Sequence, residues 1–104
     1  LKDFIGSNNQ SITIESIQNT VAAHYHLNIH EMLSARRTRS LARPRQIAMY
    51  LAKSCTTSSL PEIGRKFSNR DHTTVIHAVK KIEELIQKDN EMKQSVLEIK
   101  KRLF

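Results

Sequence analysis

Apolar side chains return along this chain at steps of three and four residues, and very little interrupts them. Ile14, Ile17, Val21 and Tyr25 form one stripe, and Ile47, Ala48, Leu51, Ala52 and Cys55 a second. Val75, Val79, Ile82 and Ile86 form a third, and Met92, Val96, Ile99 and Leu103 a fourth. A period near 3.6 places each set on one face of a helix, where burial against a neighbour offsets the entropy lost in ordering the backbone. The 104 residues include only two Gly and two Pro, too few for the turn-dense layout of a sandwich or barrel. No run approaches the roughly 18 apolar residues that a membrane span requires. The expected fold class is therefore all-α, in one small domain. A lone Cys55 forms no internal disulfide and fits a reducing compartment, so a cytoplasmic location is expected. No signal-peptide pattern is present, and a start at Leu1 without Met reads as a piece of a longer protein.

Capping residues divide the stripes into elements. Leu1, Phe4 and Ile5 at helical spacing, then Gly6-Ser7-Asn8-Asn9-Gln10, read as a helix tail and a flexible join, with the domain proper starting near Ser11. Thr13 is a candidate N-cap for a helix running to about His26. Asn28 with Glu31 three residues later opens a short turn of helix that ends near Ser34. Pro44 is tolerated in a first turn, which predicts a helix over 43–54. Ser59-Leu60-Pro61-Glu62 supplies a cap, a first-turn proline and a capping-box glutamate for a helix over 60–67. After Ser68-Asn69-Arg70, Asp71 is placed to cap a helix reaching Lys88, and Asp89 or Asn90 starts the last one.

The formal net charge is +7, carried by 17 Lys and Arg against 10 Asp and Glu. It is not spread evenly. Residues 32–61 contain Arg36, Arg37, Arg39, Arg43, Arg45 and Lys53 with no acid, while the rest of the chain nearly balances. A charge run is often only a solvated face. Here five Arg crowd into 36–45, and the planar guanidinium suits phosphate and guanine edges. Such a density repels itself unless anions are near, so an acidic partner is expected, nucleic acid first.

Two helices joined by about three residues, the second opening Asp71-His72-Thr73-Thr74, have the layout of a helix-turn-helix, whose second helix enters the major groove by its N-terminus. The segments Leu41-Ala42-Arg43-Pro44-Arg45-Gln46, Ser59-Leu60-Pro61-Glu62-Ile63-Gly64 and Asn69-Arg70-Asp71-His72-Thr73-Thr74-Val75, with a following His77 and Lys80-Lys81-Ile82, resemble the C-terminal DNA-binding domain (domain IV) of the DnaA family of bacterial replication initiators. The resemblance covers about Ser11 to the end. It implies a helix-turn-helix with an additional basic loop, in a Trp-repressor-like arrangement, which binds asymmetric DnaA boxes of the TTATCCACA type in double-stranded origin DNA. It further implies that residues 1–10 are the tail of a linker helix from an AAA+ module with its own ATP and Mg, and that 11–104 are the box-binding domain. No Gly-rich phosphate loop occurs in this chain, so no cofactor and no enzymatic activity are expected of it. A monomeric domain within a longer protein that oligomerises on the origin is expected.

Matching positions carry roles implied by the resemblance. Arg37 is the candidate for the minor groove, where A·T-rich sequence concentrates negative potential. Asp71, His72, Thr73 and Thr74 are the candidates for base edges: Asp71 accepts from cytosine N4, His72 donates to a purine acceptor, and the threonines offer hydroxyl and methyl. Asp71 also suits a purely capping role. Phosphate contacts fall to Arg36, Arg39 and Arg45 around the loop, to Leu60 and Pro61 at a helix N-terminus, and to Lys53, Arg70, His77 and Lys80. For Leu60 a hydrophobic staple is the competing role, and for the last four simple solvation.

Other readings compete. His26 and His30, the one histidine pair at i,i+4 spacing, straddle a helix end with no cluster to complete a metal site. Acidic phospholipid is the alternative partner, with Leu1, Phe4 and Ile5 beside a basic patch. A dimeric transcription regulator would need a spare apolar stripe that the sequence lacks.

Overall fold

A computed structural model describes residues 12–34 and 39–103, the side chain of Arg39 excepted. Within them the chain forms six helices and no strand: α1 Ile14–His24, α2 Ile29–Leu33, α3 Arg39–Cys55, α4 Leu60–Lys66, α5 His72–Lys88 and α6 Asn90–Leu103. The all-α expectation holds. Arg36 and Arg37, and the tail 1–10, lie outside the described residues.

The stripes become the core. Ile17 and Val21 of α1, Met32 of α2, Ile47 and Leu51 of α3, Ile63 of α4, Val75 and Ile82 of α5 and Ile99 of α6 are all wholly buried. The most extensive packing is α3 against α5, and both helices contribute small side chains to the core, Ala48 and Ala52 from α3 and Ala78 from α5. Small side chains let the two backbones approach, which seats α5 firmly along its length. Helix α1 packs against α3 and α6, and α6 packs in turn against α5.

Helix ends explain where the expected boundaries moved. Thr13 and Ser16 cap α1 reciprocally, Ser16 N–H donating to Thr13 Oγ1 at 3.1 Å and Thr13 N–H to Ser16 Oγ at 2.9 Å. The helix stops at His24, two residues short of the expected His26. His26 turns left-handed at φ 56°, and the amides of His26 and Leu27 bond back to Ala23 and Ala22, a Schellman closure. At the other extreme, α3 starts at Arg39, before the expected residue 43, so Pro44 sits inside the helix. Pro44 gives up the bond to the Ser40 carbonyl, and Ser40 is exposed, where an unpaired carbonyl costs little. Between α5 and α6 the single residue Asp89 does both jobs. Its N–H closes α5 on Leu85 at 2.7 Å, and its carboxylate accepts the Glu91 N–H at 3.0 Å.

The turn between α4 and α5 is built on a glycine. Ser68 and Asn69 both adopt positive φ, 65° and 56°, and the chain doubles back so that Arg70 N–H donates to the Gly64 carbonyl at 2.8 Å. A Cβ on Gly64 would stand 2.1 Å from the Arg70 carbonyl oxygen, so only glycine admits this approach. Phe67, wholly buried at the C-cap of α4, pins the turn to the core. Gln18 of α1 adds a bond from its Nε2 to the Lys66 carbonyl at 2.9 Å, and the Lys66 ammonium pairs with Glu15 at 2.5 Å.

Candidate nucleic-acid interface

Because Val75, Ala78 and Ile82 bury one face of α5, the first turn of that helix is forced outward. Asp71, His72, Thr73 and Thr74 are all exposed, one after another, at the tip of the helix-turn-helix. Farther along α5, His77, Lys80 and Lys81 are exposed on the same side and, with Ala42, Arg43 and Gln46 of α3 and Glu84, line an open groove of about 760 Å³. Arg43 donates to Gln46 Oε1 at 2.9 Å across the α3 wall. A smaller hollow brings Arg45, Arg70, Thr74 and His77 together nearer the turn. The tip thus offers hydrogen-bonding groups of either polarity, and the groove behind it offers cations.

Asp71 occupies the N-cap position, but its carboxylate does not cap the helix. Instead Oδ2 accepts the Thr73 hydroxyl at 2.5 Å, and Oδ1 lies 3.2 Å from His72 Nδ1. The expected capping bond is replaced by a bond to a neighbouring side chain, because the hydroxyl two residues on reaches the carboxylate first. The Thr73 hydroxyl, and after it the adjacent His72, hold the Asp71 carboxyl below its ordinary range. Asp71 therefore stays an acceptor, and it stands beside His72 and Thr73 with all three residues exposed.

The remaining candidates separate into groups. Arg36 and Arg37 lie outside the described residues, as does the Arg39 side chain. Arg70, Thr74, His77 and Lys80 are gathered along α3 and α5. Lys53 is exposed in the last turn of α3, about 15 Å along the axis from Arg43, and lines neither hollow. Pro61 is exposed in the first turn of α4, while Leu60 packs half-buried against the core. Leu60 is the first helical residue, so its contact is with the core and not a staple before the cap; Ser59 caps the helix through Glu62 N–H at 3.3 Å.

Arg45 departs from its expected place as an open phosphate contact. It is only 6% exposed, and its guanidinium is turned inward, donating from Nε to the Met32 carbonyl and from Nη2 to the Ser34 carbonyl, both at 2.8 Å. A carbonyl cluster 11 to 13 residues away in sequence draws it in, which no local pattern signals. Gly64 was missed as a functional position; the signal for it is a glycine inside a helical pattern, which marks a close backbone approach.

Comparison with known proteins agrees with this geometry. Residues 14–82 match the family model described as the bacterial dnaA protein helix-turn-helix. The chain is 53% identical over 96 residues to the chromosomal replication initiator protein DnaA of Gluconobacter oxydans, covering 92% of this chain and 20% of that protein. It is 51% identical over 96 residues to the corresponding protein of Rickettsia canadensis, covering 92% of this chain and 21% of that one. The chain thus spans about a fifth of the length of these curated relatives. A crystal structure described as a DNA replication initiation factor superposes with a TM-score of 0.78 at 35% identity, covering 94% of this chain and 30% of that one. With a family model matched over residues 14–82, most of its length, this chain belongs to the bacterial DnaA helix-turn-helix family.

Proposed function

We propose that this domain binds double-stranded DNA sequence-specifically, at DnaA boxes of the chromosomal replication origin, and so serves the initiation of replication. The observation that carries this reading is the exposed Asp71–Thr74 turn, held out from a wholly buried Val75 in a chain of the DnaA family. In this reading α5 enters the major groove by its N-terminus. The Asp71 carboxylate accepts from an exocyclic amine such as cytosine N4, His72 pairs through Nε2, and Thr73 and Thr74 offer methyl and hydroxyl contacts. Arg37 enters the adjacent minor groove.

Phosphate contacts carry affinity without specificity. Arg36, Arg39, Lys53, His77 and Lys80 supply charge for them, and the first turn of α4 at Leu60 and Pro61 adds a helix end. The domain works as a monomer on an asymmetric site. ATP and Mg chemistry, and oligomerisation on the origin, belong to parts of the longer protein beyond this chain. The acidic-lipid alternative rests on Leu1, Phe4 and Ile5, which lie outside the described residues. Titration of box and scrambled duplexes, with flotation on anionic and neutral liposomes in parallel, tests the proposal. Box preference with a steep salt dependence supports it; anionic-lipid binding without box preference overturns it.

A further inference from the structure

Three consecutive carbonyls at the end of α2 are held by donors from two other parts of the chain. Arg45 of α3 takes Met32 O and Ser34 O. From the helix-turn-helix, Arg70 donates through Nη2 to the same Ser34 oxygen at 3.1 Å, and the Ser68 hydroxyl donates to the Leu33 carbonyl. The Ser34 oxygen thereby accepts from two guanidinium groups, one for each lone pair. Two cations at one oxygen repel, so the contact persists only because carbonyl dipoles offset the repulsion. Arg70 is half-buried: its Nε is enclosed with no partner among the described residues and its Nη2 is held by Ser34, while the residue also borders the hollow that it shares with Thr74 and His77.

The position of Ser34 gives this contact its meaning. In sequence Ser34 immediately precedes the segment that carries Arg36 and Arg37, while Arg70 immediately precedes Asp71. One side chain and one peptide bond therefore connect the root of the basic loop to the first residue of the recognition turn. A long-range bond of this kind restricts how the two can move relative to each other, and simultaneous contact in two grooves depends on that distance.

We propose that Arg70, assisted by Arg45 and Ser68, is a positioning residue that fixes the root of the basic loop against the recognition turn, so that minor-groove and major-groove contacts are made in register. This rests on the DNA-binding reading above. It gives Arg70 a different role from a phosphate contact, and the two roles predict different outcomes. A phosphate contact loses affinity equally on all duplexes and lowers the salt slope by about one unit when removed. A positioning residue loses affinity only where the loop arginine matters.

The test is a double-mutant cycle on the 104-residue chain, with box and scrambled duplexes, using Arg37→Ala, Arg70→Met and the pair, with thermal melts of each. Arg37→Ala alone is expected to weaken box binding by roughly ten- to a hundredfold. In the Arg70→Met background the same change should weaken it by only about threefold or less, with the salt slope of Arg70→Met unchanged. If Arg70→Met melts below the assay temperature, Ser68→Ala replaces it in the cycle. That variant should shrink the Arg37 effect about twofold in the same direction. Additive losses, or a uniform loss on both duplexes with a slope lower by about one, overturn the positioning role. If Arg37→Ala leaves box binding unchanged, the minor-groove reading itself fails, and that result is distinct from additivity.

Discussion

The two stretches that carry the proposed interface are built in opposite ways. Residues 71–74 are exposed side by side, and their polar groups bond chiefly to each other. The basic stretch 32–61 looks from its composition like a solvated cationic surface, yet Arg45 within it is nearly enclosed and spends its guanidinium on backbone carbonyls. Burial and the nearby Arg70 charge push the Arg45 guanidinium below its ordinary range, although it remains a cation at any physiological pH. The difference teaches that net charge overstates the number of cations free to meet phosphate. Part of the basic stretch holds the scaffold, and the short turn with an acid at its head is where we propose that base discrimination resides.

The largest expected effect breaks the presentation of the turn itself. Gly64→Ala sets a methyl 2.1 Å from the Arg70 carbonyl, so the α4–α5 turn must open. A loss of about 2–3 kcal/mol in stability is expected, measured by denaturant unfolding, together with loss of box binding. A stability unchanged within error would show that the turn relaxes freely. Next, Arg37→Ala should cost roughly 1–3 kcal/mol of box binding, concentrated on duplexes whose A·T-rich flank is intact. An equal loss on a G·C-rich flank would remove the minor-groove role.

A smaller effect distinguishes holding from reading. Lys80→Ala should lower the salt slope of binding by about one unit and leave the ratio of box to scrambled affinity unchanged. The smallest effect is one of pH. The Asp71 carboxyl sits below its ordinary value of 3.8 because the Thr73 hydroxyl and then His72 favour the ionised form. A depressed carboxyl contributes above its unfolded pKa and loses its contribution as pH falls through the folded one. The Asp71-dependent part of discrimination, taken as the difference from Asp71→Asn, should therefore be flat from pH 8 to pH 5 in competition assays. A decline already at pH 6 would contradict the ionised, Thr73-held carboxylate.

Much of this architecture was legible in the sequence, for a physical reason. The stripes at Ile17/Val21, Ile47/Leu51, Val75/Ile82 and Val96/Ile99 are local periodicities, and the helices they predicted are the ones that form around the core. What was not legible depends on distant partners or on backbone geometry. The end of α1 moved because His26 turns left-handed, and the start of α3 because a helix absorbs Pro44 at the loss of one bond. The start of α5 at 71–74 was anticipated from its residues, but the bond from Thr73 to Asp71, in place of a cap, was not. Arg45 and Arg70 looked like surface cations because their shared partner, Ser34, is brought to them only by folding.

The most direct test compares box and scrambled duplexes, titrated at one fixed salt concentration, for the unchanged chain, Asp71→Ala and His72→Ala. If residues 71–74 read the sequence, both variants keep most of their affinity for scrambled DNA while the ratio between the duplexes falls by about tenfold or more. If both retain the ratio of the unchanged chain, the recognition turn does not decide which DNA is bound.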